Sequence, residues 1–187
     1  MISHIIAALI GNYMTTFFVI GLIVATVKVL ARRGHRSPSF VSGTYLNSFV
    51  LWAVGIGQVV NFIMHSVFGD YAAKTIGWAQ SPFQLELAIS SLAFGVMAII
   101  LSKKNSTFRG KVALVIAQAI FGFGAAGGHI YQTIVNHDYA ANNTGLLLVM
   151  DIAISAVGLA LVIWHSGARR SQPSATDAVP ERQTMAA

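Results

Sequence analysis

Five long apolar runs dominate this chain of 187 residues, and each is long enough to cross a lipid bilayer as a helix. They lie at about 5–30, 45–68, 83–101, 112–135 and 145–164. A spanning helix needs roughly 20 predominantly apolar residues, because about 30 Å of hydrocarbon is crossed at about 1.5 Å per residue. All five runs are apolar on nearly every face, unlike the amphipathic helices of soluble proteins. The sequence therefore predicts an all-α integral membrane bundle of five transmembrane helices.

Composition supports one membrane domain followed by a tail. Charged residues make up 10% of the chain, less than half the usual share of about 25% in a soluble domain. The first apolar run has no basic residue before it and is longer than the core of a signal peptide, so we interpret it as a retained helix. Residues 1–167 form the predicted transmembrane domain. Residues 168–187 are rich in Ser, Gln, Pro, Thr and Ala, and we expect a disordered inner tail.

The basic residues predict how the bundle is oriented. Eleven of the twelve Lys and Arg residues fall in three places that five alternating spans put on the same side, and Lys74 lies on the other. The positive-inside rule then puts the N-terminus outside and the C-terminus inside. The net charge of +6 is thus explained by insertion into a bilayer, and a nucleic-acid partner is not supported. The eleven are Lys28, Arg32, Arg33, Arg36, Lys103, Lys104, Arg109, Lys111, Arg169, Arg170 and Arg182.

Four ionisable residues lie well inside the predicted spans, away from the basic residues that flank them. His65, Glu86, His129 and Asp151 each belong to a different helix. Because successive spans alternate in direction, all four are predicted at a similar depth in the outer half of the membrane. An ionisable group in a bilayer costs several kcal/mol unless it is paired or hydrated. The sequence therefore predicts a polar pocket that these four residues form together.

Further polar and small residues accompany this layer. Gln58 and Asn61 form a stripe with His65, since residues three and four apart share a helix face. Gln132 lies three residues after His129, and Asn12 and Tyr13 lie on the outer half of the first helix. We expect these five residues to support the pocket. The fourth run also contains a small-xxx-small pair, Gly124 and Gly128, which lets a neighbouring helix or a flat ligand approach the backbone.

Three interpretations of the layer remain open. Two imidazoles and two carboxylates from His65, Glu86, His129 and Asp151 suit zinc, iron or manganese. Alternatively, His65 and His129 are axial ligands of a haem, with Gly124 and Gly128 making room for the porphyrin. In the third interpretation, the residues form a hydrogen-bonded or proton-relaying network without a cofactor. The chain has no cysteine, so thiol chemistry and covalent haem attachment are excluded.

The residues around this layer also carry a resemblance. The pattern resembles a family of small bacterial integral membrane proteins that is known only as a domain of unknown function. The resemblance spans roughly residues 50–155, and it implies a bacterial inner-membrane bundle with a periplasmic N-terminus and a cytoplasmic C-terminus in the orientation above. It implies no reaction. The residues that carry it are His65, Phe68-Gly69-Asp70, Gly77-Trp78, Ser81-Pro82-Phe83-Gln84, Glu86, Gly128-His129-Ile130-Tyr131-Gln132, Asn143-Thr144-Gly145 and Asp151.

Two functional hypotheses follow from the sequence. In the first, the pocket binds a metal or redox cofactor that acts on a lipid-soluble or periplasmic substrate. In the second, the protein is not an enzyme, and is either a subunit of a membrane complex or a small transporter whose buried carboxylates carry protons. Besides the lipid bilayer, the expected partners are another membrane protein or a second copy of the chain.

Overall fold

The computed structural model describes residues 11–103 and 105–171, and this part of the chain is helical without strands. Eight α-helices and one π-helical segment follow one another. They are α1 (Tyr13–Ala31), α2 (Pro38–Phe49), the π segment (Val50–Ile56), α3 (Gly57–Ser66), α4 (Gly69–Ile76), α5 (Phe83–Leu101), α6 (Phe108–Val135), α7 (Ala141–Thr144) and α8 (Leu146–Arg170).

Five stretches of helix are long and apolar enough to cross a membrane, which confirms the predicted fold class. They are Tyr13–Ala31, Pro38–Ser66, Phe83–Leu101, Phe108–Val135 and Ala141–Arg170. Large apolar side chains cover the outside of the bundle, including Ile120 and Ile163, which are 70% and 72% exposed. Extensive apolar exposure of this kind marks an interaction surface, and for helices of this length the fitting environment is a lipid bilayer.

The helices extend beyond the predicted apolar runs. The second span begins at Pro38, where Ser37 Oγ accepts a hydrogen bond from Phe40 N at 3.2 Å. The fourth begins at Phe108, after Thr107 caps the amide of Gly110 at 3.1 Å. Such caps satisfy free amides, so a helix begins at its cap and not at its first apolar residue. The third span matches its prediction, whereas residues 5–10 of the first and 172–187 of the predicted tail lie outside the described residues.

The two ends of the bundle differ. We call one the basic end, because the Lys and Arg residues of the loops after α1 and α5 lie there, together with Arg169 and Arg170. The other, the loop end, carries α4, α7 and residues 77–82 and 136–140; Lys74 is its one Lys or Arg among the described residues. The connection that the sequence predicts between the second and third spans contains a short helix, α4. Its residues Ala72, Ala73 and Ile76 are buried against the bundle.

The apolar core fills the half of the bundle nearer the basic end. Its central members come from the second, fourth and fifth spans, and Leu46, Val50, Val54 and Val115 are at most 1% exposed. Packing of this kind closes the bundle at the basic end. The loop half is built differently, from polar side chains around a cavity.

Candidate functional site

A cavity of about 600 Å³ occupies the loop half of the bundle. Residues of α1, α3, α5, α6 and α8 form its walls, and Ala73, Ile76 and Trp78 close it at the loop end. Most of its lining is apolar, with a small number of polar groups, as is usual for a site that binds a small organic molecule. Its polar lining residues are Tyr13, Gln58, Asn61, His65, Ser81, Gln84, Gln118, His129 and Asp151.

His129 and Asp151, two of the four ionisable residues of the predicted layer, lie close to each other in this cavity. His129 is 5% exposed, and its Nε2 lies 3.8 Å from Asp151 Oδ2. This distance allows an electrostatic interaction but is too long for a hydrogen bond. The two groups therefore leave room for a polar atom of a ligand that contacts both.

Asn143, a residue of the resemblance to which the sequence assigned no role, determines which nitrogen of His129 carries the proton. It is fully buried, and its Nδ2 donates to His129 O, Thr133 Oγ1 and Asp138 O at 3.3, 3.0 and 2.8 Å. These three acceptors identify Nδ2, so the other atom of the amide is the oxygen. That oxygen lies 2.8 Å from His129 Nδ1, which must therefore donate to it. In neutral His129, Nε2 is then an acceptor that faces Asp151.

Trp78 covers the imidazole of His129 from the loop end. The two rings lie 5.1 Å apart between centroids and are inclined by 34°. Trp78 follows Gly77, which ends α4 with a φ of 89°, a left-handed conformation that glycine adopts without strain. A polar cleft lies on the far side of Trp78 and is lined by Gln132 and Asp138 among others. Trp78 thus separates the cavity from the exposed loop end.

His65 is fixed in the opposite tautomer. Gln84 Nε2 donates to Gly69 O at 2.8 Å and lies 3.2 Å from His65 Nδ1. An amide nitrogen cannot accept, so His65 Nδ1 is the acceptor and the proton of the neutral ring is on Nε2. Gln84 therefore contacts His65 and Gly69, and α5 begins without a side-chain cap.

A second polar layer lies deeper in the bundle. The Tyr13 hydroxyl donates to Asn61 Oδ1, and Asn61 Nδ2 donates to Ser91 Oγ at 2.8 Å. Gln58 Nε2 donates to Gln118 Oε1 at 3.0 Å. Gln58 is 1% exposed, and its Oε1 has no hydrogen-bond donor within the described part of the chain. The π segment ends immediately before Gly57 and Gln58, and π turns are frequent at functional sites.

The glycines of α6 divide into two kinds. A Cβ on Gly122 would lie 2.2 Å from Ser155 Oγ, so this glycine allows α6 and α8 to pack closely. A Cβ on Gly124 would meet nothing within 4 Å, and one on Gly128 would come no closer than 3.8 Å to Trp78 Cη2. Gly124 and Gly128 both line the cavity. No neighbouring helix therefore packs against α6 at these two positions, and the cavity wall there has no side chains.

The structure does not bring Glu86 to the other three ionisable residues. Glu86 is exposed on the face of α5 that carries Leu85 and Ile89, which are 52% and 55% exposed, whereas Ala88 and Ser91 are buried on the opposite face. Because α5 is apolar on all sides, its sequence did not indicate which face points inward. Among the residues that the structure describes, no three His, Asp or Glu side chains are grouped so that they could hold a metal ion.

Two predicted supporting residues also lie outside the cavity. Gln132 lines the exposed cleft, where its Oε1 accepts from Asn136 Nδ2. Asn12 precedes α1, and its carbonyl oxygen accepts the amide of Thr16 at 2.9 Å. The other three, Gln58, Asn61 and Tyr13, line the cavity as expected.

Comparison with known protein families assigns the chain to one of them. The sequence profile of a family of unknown function, DUF6790, matches residues 11–171. The chain belongs to this family. No curated protein and no solved structure matched it. The DUF6790 match covers all five spans and extends beyond the resemblance noted from the sequence, which omitted α1. The predicted membership in a family of unknown function is confirmed, while the bacterial source and the motif residues stay predictions.

Proposed function

We propose that this DUF6790 protein is an integral membrane protein that binds a lipid-soluble amphipathic molecule in the cavity of its loop half. The observation that carries the proposal is an opening in the cavity wall between α5 and α6. Gly124 lies at this opening, where a side chain would meet nothing. Phe83 and Ile120 line the cavity and are nonetheless 74% and 70% exposed, so the cavity continues to the lipid-facing surface of the bundle.

The opening is limited on one side. The rings of Phe94 on α5 and Phe121 on α6 lie 5.6 Å apart, and toward the basic end the apolar core follows. An apolar chain can therefore lie in the opening while its polar group reaches His129 and Asp151 inside. Access from the bilayer suits such a molecule, because its apolar chain never has to enter water.

The polar end of the cavity supports a ligand that exchanges or shares protons. His129 Nε2 and Asp151 Oδ2, 3.8 Å apart, face a common space, and Asn143 holds the imidazole in position. An oriented imidazole beside a carboxylate is an arrangement that can accept and return a proton. In the orientation that the basic residues predict, this pair lies in the outer half of a bacterial inner membrane.

The geometry favours an organic ligand over the predicted metal site. The predicted metal site loses Glu86, and the remaining residues supply two close ligands, His129 and Asp151. Proton-coupled transport would need a path to the basic end, where the described residues form a packed apolar core.

Photolabelling tests the proposal. We would incorporate the protein into lipid nanodiscs with a long-chain alcohol that carries a diazirine in its chain, irradiate, and map the labelled residues by mass spectrometry. Labels are expected on α5 and α6 around Phe83, Leu87 and Phe121. Gly124→Leu should fill the opening and remove most of this labelling.

Gly127→Leu is the matched control. Gly127 also lies on α6 and also has open space around its Cα, but it does not line the cavity. Equal labelling of the two variants, or labels spread evenly over the outside of the bundle, would show that the opening does not admit the probe.

A further inference from the structure

Three basic side chains meet at the basic end of the bundle, between α2, α6 and α8. The centroid of the Phe108 ring, at the start of α6, lies 5.2 Å from that of the His165 ring and 4.8 Å from Arg169 Cζ. Lys111 follows Phe108 by one helical turn. Lys111 and Arg169 are both close enough to His165 to interact with it electrostatically. We call Lys111, His165 and Arg169 the cationic cluster.

Residues of α2 hold the cationic cluster in place. Ser42 is fully buried, and its Oγ lies 2.8 Å from His165 Nδ1. A Cβ on Gly43 would lie 2.9 Å from His165 Cε1, so a larger residue there would displace the imidazole. One turn further along α2, Asn47 Oδ1 accepts a hydrogen bond from Lys111 Nζ at 2.9 Å. The cluster is therefore fixed by helix packing, unlike the basic residues of the loops.

The part of the chain that the structure describes supplies no carboxylate to this cluster. All its Asp and Glu residues belong to the loop half, and even Asp151, which shares α8 with His165, is about 21 Å away along the helix axis. Lys111 is half-buried beside a neutral amide, at the start of α6, where the positive end of the helix dipole disfavours a cation. Ionisable groups within spanning helices are almost always paired. The cluster therefore calls for an anion from outside the described residues.

We propose that Lys111 and Arg169 bind the phosphate group of an anionic phospholipid. A phosphate diester carries one negative charge and accepts hydrogen bonds from both side chains. Basic pockets between spanning helices bind lipid headgroups of this kind on the inner side of a membrane, which is where the predicted orientation puts the basic end. Ile163 and Trp164, which precede His165 on α8, are exposed and offer an apolar surface to the acyl chains. The apolar core separates this site from the cavity, so the two sites are independent.

Native mass spectrometry of the full chain in a mild detergent, at physiological ionic strength, tests this assignment. The protein is mixed with equal amounts of dioleoylphosphatidylglycerol and dioleoylphosphatidylcholine, which have the same acyl chains and phosphate but differ in net charge. The complex with one bound lipid should contain at least about tenfold more of the anionic lipid, since each of the two cations contributes roughly fivefold to the affinity. Equal amounts of the two lipids in this complex would overturn the proposal.

Three glutamine variants locate the preference for the anionic lipid. Lys111→Gln, whose amide can still donate to Asn47, and Arg169→Gln should each lower it by about fivefold. Arg170→Gln is the matched control: it removes the same charge from the next residue, but Arg169 is the one that covers Phe108, and an isolated exposed charge is screened by salt. An equal fall in all three variants would show that the preference follows net charge and not this cluster. Arg169→Gln changes an exposed residue of the last turn of α8, so it still decides if Lys111→Gln does not fold.

Two other sources of the anion are outcomes of the same experiment. If an excess of inorganic phosphate abolishes the preference for the anionic lipid, the cluster binds free phosphate and the lipid assignment is wrong. Asp177 and Glu181 lie outside the described residues, and a variant with Asp177→Asn and Glu181→Gln tests them as partners. A preference that appears only in this variant would show that carboxylates of the chain itself occupy the cluster, which would overturn the proposal as well. Neither outcome affects the cavity, which the photolabelling tests separately.

Discussion

Asn143 offers the sharpest test of how the loop end is held together. Its side chain makes four hydrogen bonds, to His129 Nδ1, His129 O, Thr133 Oγ1 and Asp138 O, at 2.8, 3.3, 3.0 and 2.8 Å. A hydrogen bond contributes about 1 kcal/mol net, and the longest of these less. Asn143→Ala should therefore lower the free energy of unfolding by about 3 kcal/mol. For a chain of this size the corresponding fall in Tm is about 10 °C.

Thermal unfolding in one detergent, with two comparison variants, checks this magnitude. Asn142→Ala changes the neighbouring asparagine, which makes no side-chain hydrogen bond with the described residues, and should shift Tm by less than about 2 °C. Asn143→Asp keeps the shape and the oxygen that accepts from His129 but replaces the donating nitrogen with oxygen, so it should destabilise at least as much as alanine. The hydrogen-bond network and the tautomer assigned to His129 are wrong if Asn143→Asp is as stable as the unchanged protein. They are also wrong if Asn143→Ala and Asn142→Ala have the same Tm.

Two further pairs of variants test the packing and the site by the same thermal assay. Gly122→Ala should lower the free energy of unfolding by about 1–3 kcal/mol, because its Cβ would collide with Ser155 Oγ. Gly127→Ala, where the Cβ has open space, should be neutral or stabilising. Similar losses of stability in both variants would contradict the close approach of α6 and α8. Glu86→Gln should leave Tm unchanged because this side chain is exposed, whereas Asp151→Leu should cost about 1–3 kcal/mol by removing the group that faces His129. A large loss in the Glu86 variant would show that Glu86 has a partner in the bundle.

The fold class could be predicted because bilayer thickness translates directly into helix length. The run at 83–101 matches α5 at both ends, since polar or loop residues flank it closely. The second span was predicted seven residues too short at its start, because Ser39, Ser42 and Thr44 read as a loop. The hydroxyls of Ser42 and Thr44 instead bond to the helix carbonyls of Pro38 and Phe40. Helix α4 was missed for a related reason: at eight residues it is far below the length that a spanning helix requires.

Three of the four residues of the predicted ionisable layer, His65, His129 and Asp151, line the cavity. His129 and Asp151 meet because their helices are neighbours and both side chains point inward. Depth does not determine direction, however, and an all-apolar helix has no polar face from which to infer it, which is why Glu86 was misplaced. Asn143 was named in the resemblance but was given no role in the site, because an asparagine in a short polar connection normally reads as a turn residue. Gln118 did leave a signal in the sequence, because it is a lone amide within an apolar run. Its similar depth to Gln58 would have been enough to predict that the two side chains pair.

The opening beside Gly124 must be filled in the membrane. A gap between two helices removes dispersion contacts from both, and neither water nor the side chains of α5 and α6 replace them there. In an apolar bilayer the available filler is an apolar chain, either of a lipid or of a ligand with a similar chain. Phe94 and Phe121 close the gap toward the basic end, so whatever fills it is directed toward the loop half, where its other end meets His129 and Asp151. An ordinary acyl chain leaves these two side chains without a polar partner, whereas an amphipathic molecule with a polar group at its inner end supplies one. The same wall that admits lipid thus favours one kind of amphipathic molecule over the bulk of the bilayer.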